Sequence, residues 1–342
     1  MPGARIRVLI VDDSRIVRGV LATALARFPD FEVVGEAGDG KRAEQLVREL
    51  RPDVITLDVL MPLMGGIEAI EAIMRARPTP IVVVADLERA DSEVALEAVA
   101  RGAIEVFPKP SGGFDSAAAQ RLADVLRSSA SVTLARPAAA SPRHLLRPTL
   151  RRTSVRIVGL VASTGGPRVL QALLRALPQA LPCPIAIVQH TAPGSTQPLA
   201  SWLTSSSGRT VTVAKDGQTL APGQVVLAPE DRHLCVKIGP TVTLDGGPRF
   251  EGHRPSGTVL LKSLAAQFGT HCVGLVLSGM GSDGAEGAAA IEEAGGIVMI
   301  EDPAAAVLSG MPTAALARVR APFVGSADAL AEGLRRLLGR EA

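Results

Sequence analysis

The feature that most constrains the fold is a repeated alternation between short apolar runs and longer amphipathic stretches. Residues 8–11, 54–57 and 81–84 are rich in Val, Ile and Leu. Such runs are typical of strands that are buried on both faces. Between them apolar residues recur at helical spacing, as in residues 16–25, which follow the N-cap candidate Ser14. Strands that alternate with helices form a parallel sheet covered on both faces, so the sequence predicts an α/β fold.

The same alternation resumes at residue 156 and predicts a second α/β unit. Its segments 234–238 and 242–244 predict a β-hairpin. The intervening residues 126–154 contain six arginines, three prolines and no acidic residue, which is typical of a semi-extended basic linker. A solvated tether is the favoured interpretation, and an arm that finds an acidic partner is the alternative. The predicted division is 4–125, 126–154 and 155–342.

Length and composition agree with two domains and exclude several function classes. A chain of 342 residues is about two domains of usual size. A net charge of +2, with no Tyr and one Trp, argues against nucleic acid or an anionic membrane as partner. Three unpaired cysteines suit a reducing cytoplasm. The sequence begins with too short an apolar run for a signal peptide, and no run is long enough for a membrane span. We therefore expect a cytoplasmic protein without membrane insertion.

Acidic residues follow two predicted strands of the N-terminal half. Asp12 and Asp13 end the first strand, Asp58 ends the third, and Lys109 ends the fifth. Because ligands of parallel sheets lie at the carboxyl ends of strands, three carboxylates and one ammonium group are expected to converge. Oxygen ligands of this kind suit Mg²⁺, and a carboxylate beside Mg²⁺ and Lys can attack phosphorus. For any single aspartate, helix capping is the commoner role.

Taken together, the residues from Asp58 to Pro62, the Asp12-Asp13 pair and Lys109-Pro110 resemble the response-regulator receiver family over residues 5 to about 125. The resemblance implies a flavodoxin-like domain with a five-stranded, doubly wound parallel sheet. It also implies that Asp58 is the phosphoacceptor, that Asp12, Asp13 and Asp58 hold Mg²⁺, and that Lys109 senses the phosphoryl group. Two positions depart from the family. Ala85 stands where receivers carry Ser or Thr, and Val106 stands where they carry Phe or Tyr.

Three chemically active residues of the C-terminal half also follow predicted strands. Ser163 lies on a strand-to-helix turn, His190 ends a strand, and Asp283 follows the strand at 273–277. If the three meet on one sheet edge, His190 can accept the Ser163 proton while Asp283 orients the imidazole. Each residue alone has a plainer interpretation, as an N-cap or phosphate cradle, a structural histidine and a turn aspartate. The order Ser, His, Asp also differs from that of α/β-hydrolases.

Five motifs in this half look like the chemotaxis protein-glutamate methylesterase domain: residues 162–167, 188–190, 253–256, 279–285 and 309–312. The resemblance covers about residues 155–340 and implies a doubly wound α/β domain. It implies that Ser163 is the nucleophile, His190 the general base and Asp283 its orienting acid. Thr164 and Met280 would shape the oxyanion site, and His253 would lie near the substrate.

The combined resemblance implies a phosphorylation-regulated enzyme. The reaction would be hydrolysis of glutamyl methyl esters on a methylated chemoreceptor, with release of methanol and no cofactor. Deamidation of receptor glutamines would be a second reaction. A chemotaxis histidine kinase would phosphorylate Asp58, and phosphorylation would relieve the cover that the receiver places on the active-site face. The alternative is a non-enzymatic, receiver-linked signalling adaptor with a degenerate switch, a reading that Ala85 and Val106 favour slightly.

Overall fold

The computed structural model describes residues 5–62, 64–86, 92–110, 113–132, 154–320 and 322–339. The chain divides into two compact units, Met1–Ala138 and Ala139–Ala342. Within the described residues, no helix has the length and apolar character needed to cross a membrane.

The N-terminal unit is a five-stranded parallel sheet with strand order β2-β1-β3-β4-β5. This order is that of flavodoxin-like folds, and apolar clusters cover both faces of the sheet. The predicted α/β class and strand arrangement are confirmed. In chain order the elements are β1 (Ile6–Val11), α1 (Arg15–Leu25), β2 (Phe31–Ala37), α2 (Gly40–Leu50), β3 (Val54–Leu57), α3 (Gly66–Ala76), β4 (Ile81–Ala85), α4 (Ser92–Ala100), β5 (Glu105–Pro108) and α5 (Ser116–Ala130).

Helix α5 extends into the segment that the sequence assigned to the linker. It ends at Ala130, so residues 126–130 are helical rather than extended. Leu126 is fully buried, and the Arg127 guanidinium bonds to Asp30 and lies over the Phe28 ring. The helical spacing of buried apolar residues therefore continues into this segment, although its Arg and Ser residues are typical of a linker. The remainder of the predicted linker, apart from residues 131–132 and 154, lies outside the described residues.

The C-terminal unit is a seven-stranded parallel sheet with order β14-β13-β12-β6-β7-β9-β8. The predicted hairpin is confirmed as the antiparallel pair β10 and β11. The elements are β6 (Ile157–Ala162), α6 (Gly166–Ala176), β7 (Ile185–Gln189), α7 (Thr196–Ser207), β8 (Val211–Val213), β9 (Val225–Leu227), β10 (His233–Lys237), β11 (Thr241–Asp245), α8 (Gly257–Phe268), β12 (Cys272–Val276), α9 (Ala285–Glu293), β13 (Ile297–Glu301), α10 (Gly310–Leu316), β14 (Phe323–Gly325) and α11 (Ala327–Leu338).

Strands β12, β6 and β7 are adjacent at the centre of this sheet and run in one direction. Val276 pairs with Val161, and Ala162 pairs with Gln189. The residues that follow these strands therefore share the carboxyl edge of the sheet, where α/β proteins bind their ligands.

Candidate active site and acidic pocket

Ser163 lies on the tight turn between β6 and α6. Its backbone N–H donates to the Ser278 carbonyl at 2.9 Å, and its carbonyl accepts from the Gly166 N–H at 2.8 Å. Gly165 has φ +79°, and a Cβ there would lie 2.5 Å from the Val307 Cβ. Only glycine fits this turn, which places Ser163 at the start of a helix, beside the positive end of the helix dipole.

His190 and Asp283 meet as the sequence predicts. His190 Nε2 lies 2.8 Å from Asp283 Oδ2, and the His190 backbone N–H donates to the Ala162 carbonyl beside Ser163. The second ring nitrogen, Nδ1, is buried and has no hydrogen-bond partner among the described residues. The ring thus has one nitrogen on the carboxylate and the other unused.

The expected hydrogen bond between Ser163 and His190 is not formed in the described part of the chain. Ser163 and His190 are instead connected through Gln189, whose side-chain Nε2 donates to both of their carbonyls, at 2.8 Å and 2.9 Å. Catalytic hydrogen bonds are often long in ligand-free sites and tighten when substrate binds. The sequence around Gln189 does not indicate this role, and the only signal is its position directly before His190 at a strand end.

Asp283 is 1 % exposed and is surrounded by donors. Ser256 Oγ donates at 2.7 Å, the Gly257 N–H at 2.6 Å and the Thr258 N–H at 2.8 Å, all from the beginning of α8. Burial by itself raises the pKa of the Asp283 carboxyl, but the His190 ring and these donors lower it far below its usual value. Asp283 is therefore an ionised carboxylate held in one orientation.

Of the three predicted substrate-side residues, His253 contacts His190 directly. Its ring stacks on His190, with centroids 4.0 Å apart and planes at 4°. Burial and the neighbouring His190 lower the pKa of His253, which favours a neutral ring. Thr164 is buried beside Ser163, whereas Met280 is 58 % exposed on the rim.

Glu301 is a buried carboxyl that the sequence analysis did not single out. It is 2 % exposed and accepts the Ser278 N–H at 2.7 Å. Burial raises the pKa of Glu301 to about 7, and Asp302 adds to the increase. Ser278 in turn accepts from the Ser163 N–H and donates its hydroxyl to the Thr164 carbonyl. Glu301 is thus connected to the Ser163 turn through one residue, Ser278.

The N-terminal unit brings the predicted acidic residues together. Ligand atoms of Asp12, Asp13 and Asp58 lie within 4.8 Å of one another. Lys109 Nζ donates to Asp12 Oδ2 at 2.9 Å and to Asp58 Oδ2 at 2.6 Å. Burial is the main cause of a raised pKa at Asp12, and Asp58 contributes to it. Asp12 and Asp58 are buried and Asp13 is exposed, and such crowding of carboxylates favours binding of a cation.

The two departures from the receiver pattern lie on the neighbouring strands β4 and β5. Ala85 ends β4, is 1 % exposed, and its carbonyl accepts the Lys109 N–H at 2.7 Å. Val106 pairs with Val83 across the sheet. These strands therefore carry neither a hydroxyl at position 85 nor an aromatic ring at position 106.

Comparisons with known proteins match both units. The family model described as CheB methylesterase matches residues 158–334, and the response regulator receiver domain matches residues 8–118. The chain belongs to the CheB methylesterase family. A relative from Anaeromyxobacter dehalogenans, named protein-glutamate methylesterase/protein-glutamine glutaminase 3, is 44 % identical over 98 % of this chain and 100 % of its own. A relative from Caulobacter vibrioides with the same activity name is 41 % identical over 91 % of this chain and 92 % of its own.

A solved structure gives the same result for the C-terminal unit. The CheB methylesterase catalytic domain of Thermotoga maritima is 37 % identical and has a TM-score of 0.52. It covers 54 % of this chain, and all of the Thermotoga domain is covered. The family resemblance inferred from the motifs is therefore confirmed.

We predict that Glu301→Gln alters how the free energy of unfolding of the C-terminal unit depends on pH. Compared with the unchanged protein at the same pH, the variant should be relatively more stable at pH 8 than at pH 5. The pKa of Glu301 is about 7 in the folded state, whereas a glutamate in water, as in the unfolded chain, has a pKa of 4.5. Between these values the folded state binds more protons, so the free energy of unfolding of the unchanged protein falls as pH rises. The loss is on the order of 3 kcal/mol.

Trp202 is the only tryptophan of the chain and is buried in the C-terminal unit, so its fluorescence during denaturant unfolding measures this unit alone. Glu293→Gln, at an exposed position of α9, is the matched control and should follow the unchanged protein at every pH. Parallel stability profiles for Glu301→Gln and the unchanged protein would show that Glu301 is not a buried, titrating carboxyl.

Proposed function

We propose that the chain is a protein-glutamate methylesterase that hydrolyses glutamyl methyl esters on chemoreceptors and releases methanol. The observation that carries the proposal is the ionised Asp283 carboxylate bonded to His190 on the sheet edge that also presents Ser163. The curated relatives bear names for this activity over nearly the whole chain.

In the proposed reaction Ser163 Oγ attacks the ester carbonyl carbon, and its proton passes to His190 Nδ1, the nitrogen that Asp283 leaves unused. Asp283 stays ionised and stabilises the imidazolium. The positive end of the α6 helix dipole, with Thr164 and Met280 shaping the site, stabilises the oxyanion. His190 then protonates the departing methoxide, which leaves as methanol. A water molecule, deprotonated by His190, hydrolyses the glutamyl ester of Ser163 and restores the hydroxyl.

The same residues support glutamine deamidation as a second reaction. A glutamine side chain presents the same acyl group to Ser163, and ammonia leaves in place of methanol. The relatives' names include protein-glutamine glutaminase. The glutamyl-Ser163 intermediate and its hydrolysis would be common to both reactions.

The acidic pocket gives the proposed regulation. Asp58 would accept the phosphoryl group from a chemotaxis histidine kinase, and Lys109 would bind a phosphoryl oxygen. The three clustered carboxylates fit Mg²⁺, which when bound neutralises charge on phosphoryl oxygens. Lys109 already bridges Asp12 and Asp58, so addition of about two negative charges at Asp58 would rearrange that bridge. A higher esterase rate after phosphorylation of Asp58 is the proposed consequence.

We propose two domains joined by a linker, with the predicted boundaries 4–125, 126–154 and 155–342 changed at one place. Residues 126–130 belong to the first domain, because α5 continues through them. We also propose cytoplasmic action, which suits the three free cysteines. The adaptor alternative is not favoured, because the relatives carry enzyme names and Asp283 and His190 are joined.

We expect Ser163→Ala to abolish methanol release and Asp283→Asn to slow it by roughly 10⁴-fold, the cost of the same change in a serine protease. The substrate would be chemoreceptor-containing membranes that carry radiolabelled methyl groups, and the readout would be labelled methanol. Thr270→Ala removes an exposed hydroxyl before β12, at the opposite end of the sheet, and should leave the rate unchanged. An unchanged rate in Ser163→Ala would refute the proposed function.

We expect a small phosphodonor such as acetyl phosphate, with Mg²⁺, to raise the rate of the full chain by about tenfold or more. Such a gain requires a population shift of only about 1.4 kcal/mol. Asp58→Asn should remove the gain, whereas Asp124→Asn, an exposed carboxylate on α5, should retain it. Equal rates with and without the phosphodonor would contradict regulation through Asp58.

A further inference from the structure

His233 is a buried histidine whose two ring nitrogens are both used. It lies at the beginning of β10 and is 2 % exposed. Nε2 lies 3.0 Å from the Pro248 carbonyl, and Nδ1 accepts the Ser256 backbone N–H at 3.2 Å. Because Nδ1 accepts and Nε2 faces an acceptor, these partners assign a neutral ring with its proton on Nε2.

The two partners of His233 lie at the two ends of one loop. Residues 248–256 connect the β10–β11 hairpin to α8 and carry His253, whose ring stacks on His190. Inside the loop, Phe250 and His253 exchange backbone hydrogen bonds at 3.0 Å and 2.9 Å. A single imidazole ring therefore spans the loop that covers one face of the proposed base.

The Ser256 end of the loop leads directly to the triad. Ser256 is fully buried, and its hydroxyl donates to Asp283 Oδ1 at 2.7 Å. Asp283 Oδ2 then bonds to His190 Nε2. His233 thus holds the backbone of the residue whose side chain holds Asp283. Loss of the acceptor would leave a buried Ser256 N–H without a partner, and the backbone would move to satisfy it.

We propose that His233 is a positioning residue of the esterase site, which acts through Ser256 on the orientation of Asp283 and His190. This inference rests on the proposed esterase function. His233 touches no substrate, and its effect is geometric. A misplacement of about 1 Å in a catalytic group costs on the order of 10²-fold in rate. Loss of His233 therefore lowers kcat by displacing Asp283 and His190, although His233 itself does not contact Ser163.

Three variants of the full chain separate the two hydrogen bonds of His233. In His233→Asn the amide oxygen lies near the place of Nδ1 and retains an acceptor for Ser256. In His233→Gln the longer amide reaches toward Pro248 and retains that bond instead. His233→Phe removes both. Kinetic constants for release of labelled methanol are measured for each variant, on chemoreceptor membranes that carry radiolabelled methyl groups.

We expect His233→Phe to lower kcat by about 10²-fold with little change in KM. His233→Asn should exceed the kcat of both other variants by about tenfold or more, because it alone keeps the route to Asp283. His271→Asn, the same exchange at a ring that bonds only to the Ser154 carbonyl among described residues, should match the unchanged protein. Trp202 fluorescence checks that each variant is folded.

The inference is overturned if folded His233→Phe keeps its kcat, if His233→Asn and His233→Gln have equal kcat values, or if only KM changes. Should His233→Phe fail to fold, the comparison of His233→Asn with His233→Gln decides alone. Ser163→Ala distinguishes the two levels of the argument. If it retains activity, the proposed function fails; if it is inactive while the His233 variants are unaffected, only the role of His233 fails.

Discussion

The C-terminal unit depends on the burial of one negative charge, the Asp283 carboxylate. A buried carboxylate is costly unless donors replace the lost water. Here the first turn of α8 supplies them, since the Gly257 and Thr258 N–H groups lack partners inside their own helix and the Ser256 hydroxyl points the same way. The helix beginning and the carboxylate satisfy each other. His190 takes the remaining position on Asp283, and its orientation follows.

Both units place their functional groups by the same topological rule. In the N-terminal unit Asp12, Asp58 and Lys109 follow β1, β3 and β5, and in the C-terminal unit Ser163 and His190 follow the adjacent strands β6 and β7. Parallel strands release their carboxyl ends at one edge, so residues distant in sequence meet there without a dedicated scaffold. The two sites differ in chemistry because one edge collects carboxylates and an ammonium group, and the other collects a hydroxyl and an imidazole.

The sequence predicts these strand-end residues because apolar runs locate the strands, and a parallel topology brings the carboxyl ends of those strands to one edge. It fails where a residue's role depends on burial. Arg127 belongs by type to a basic linker, yet its stem and guanidinium complete a contact with Phe28 and Asp30. Glu301 looks like any acid at a strand end, although β14 and the Ser278 turn enclose it. His233 gave no pattern at all, since its partners lie 15 and 23 residues further along the chain.

The carboxyl edge of the C-terminal sheet holds two buried acids whose pKa values are displaced in opposite directions. Burial opposes ionisation at both. Asp283 accepts hydrogen bonds from the first N–H groups of α8 and from a hydroxyl and contacts an imidazole, whereas among the described residues Glu301 accepts one backbone N–H. The difference in donors decides the charge state. Asp283 can remain ionised through the proposed cycle and stabilise a positive His190. Glu301, which has a pKa of about 7 and bonds to the backbone behind Ser163, lacks the donors that a permanent counter-charge requires. Two acids on one edge therefore differ in pKa, and local hydrogen bonding causes the difference.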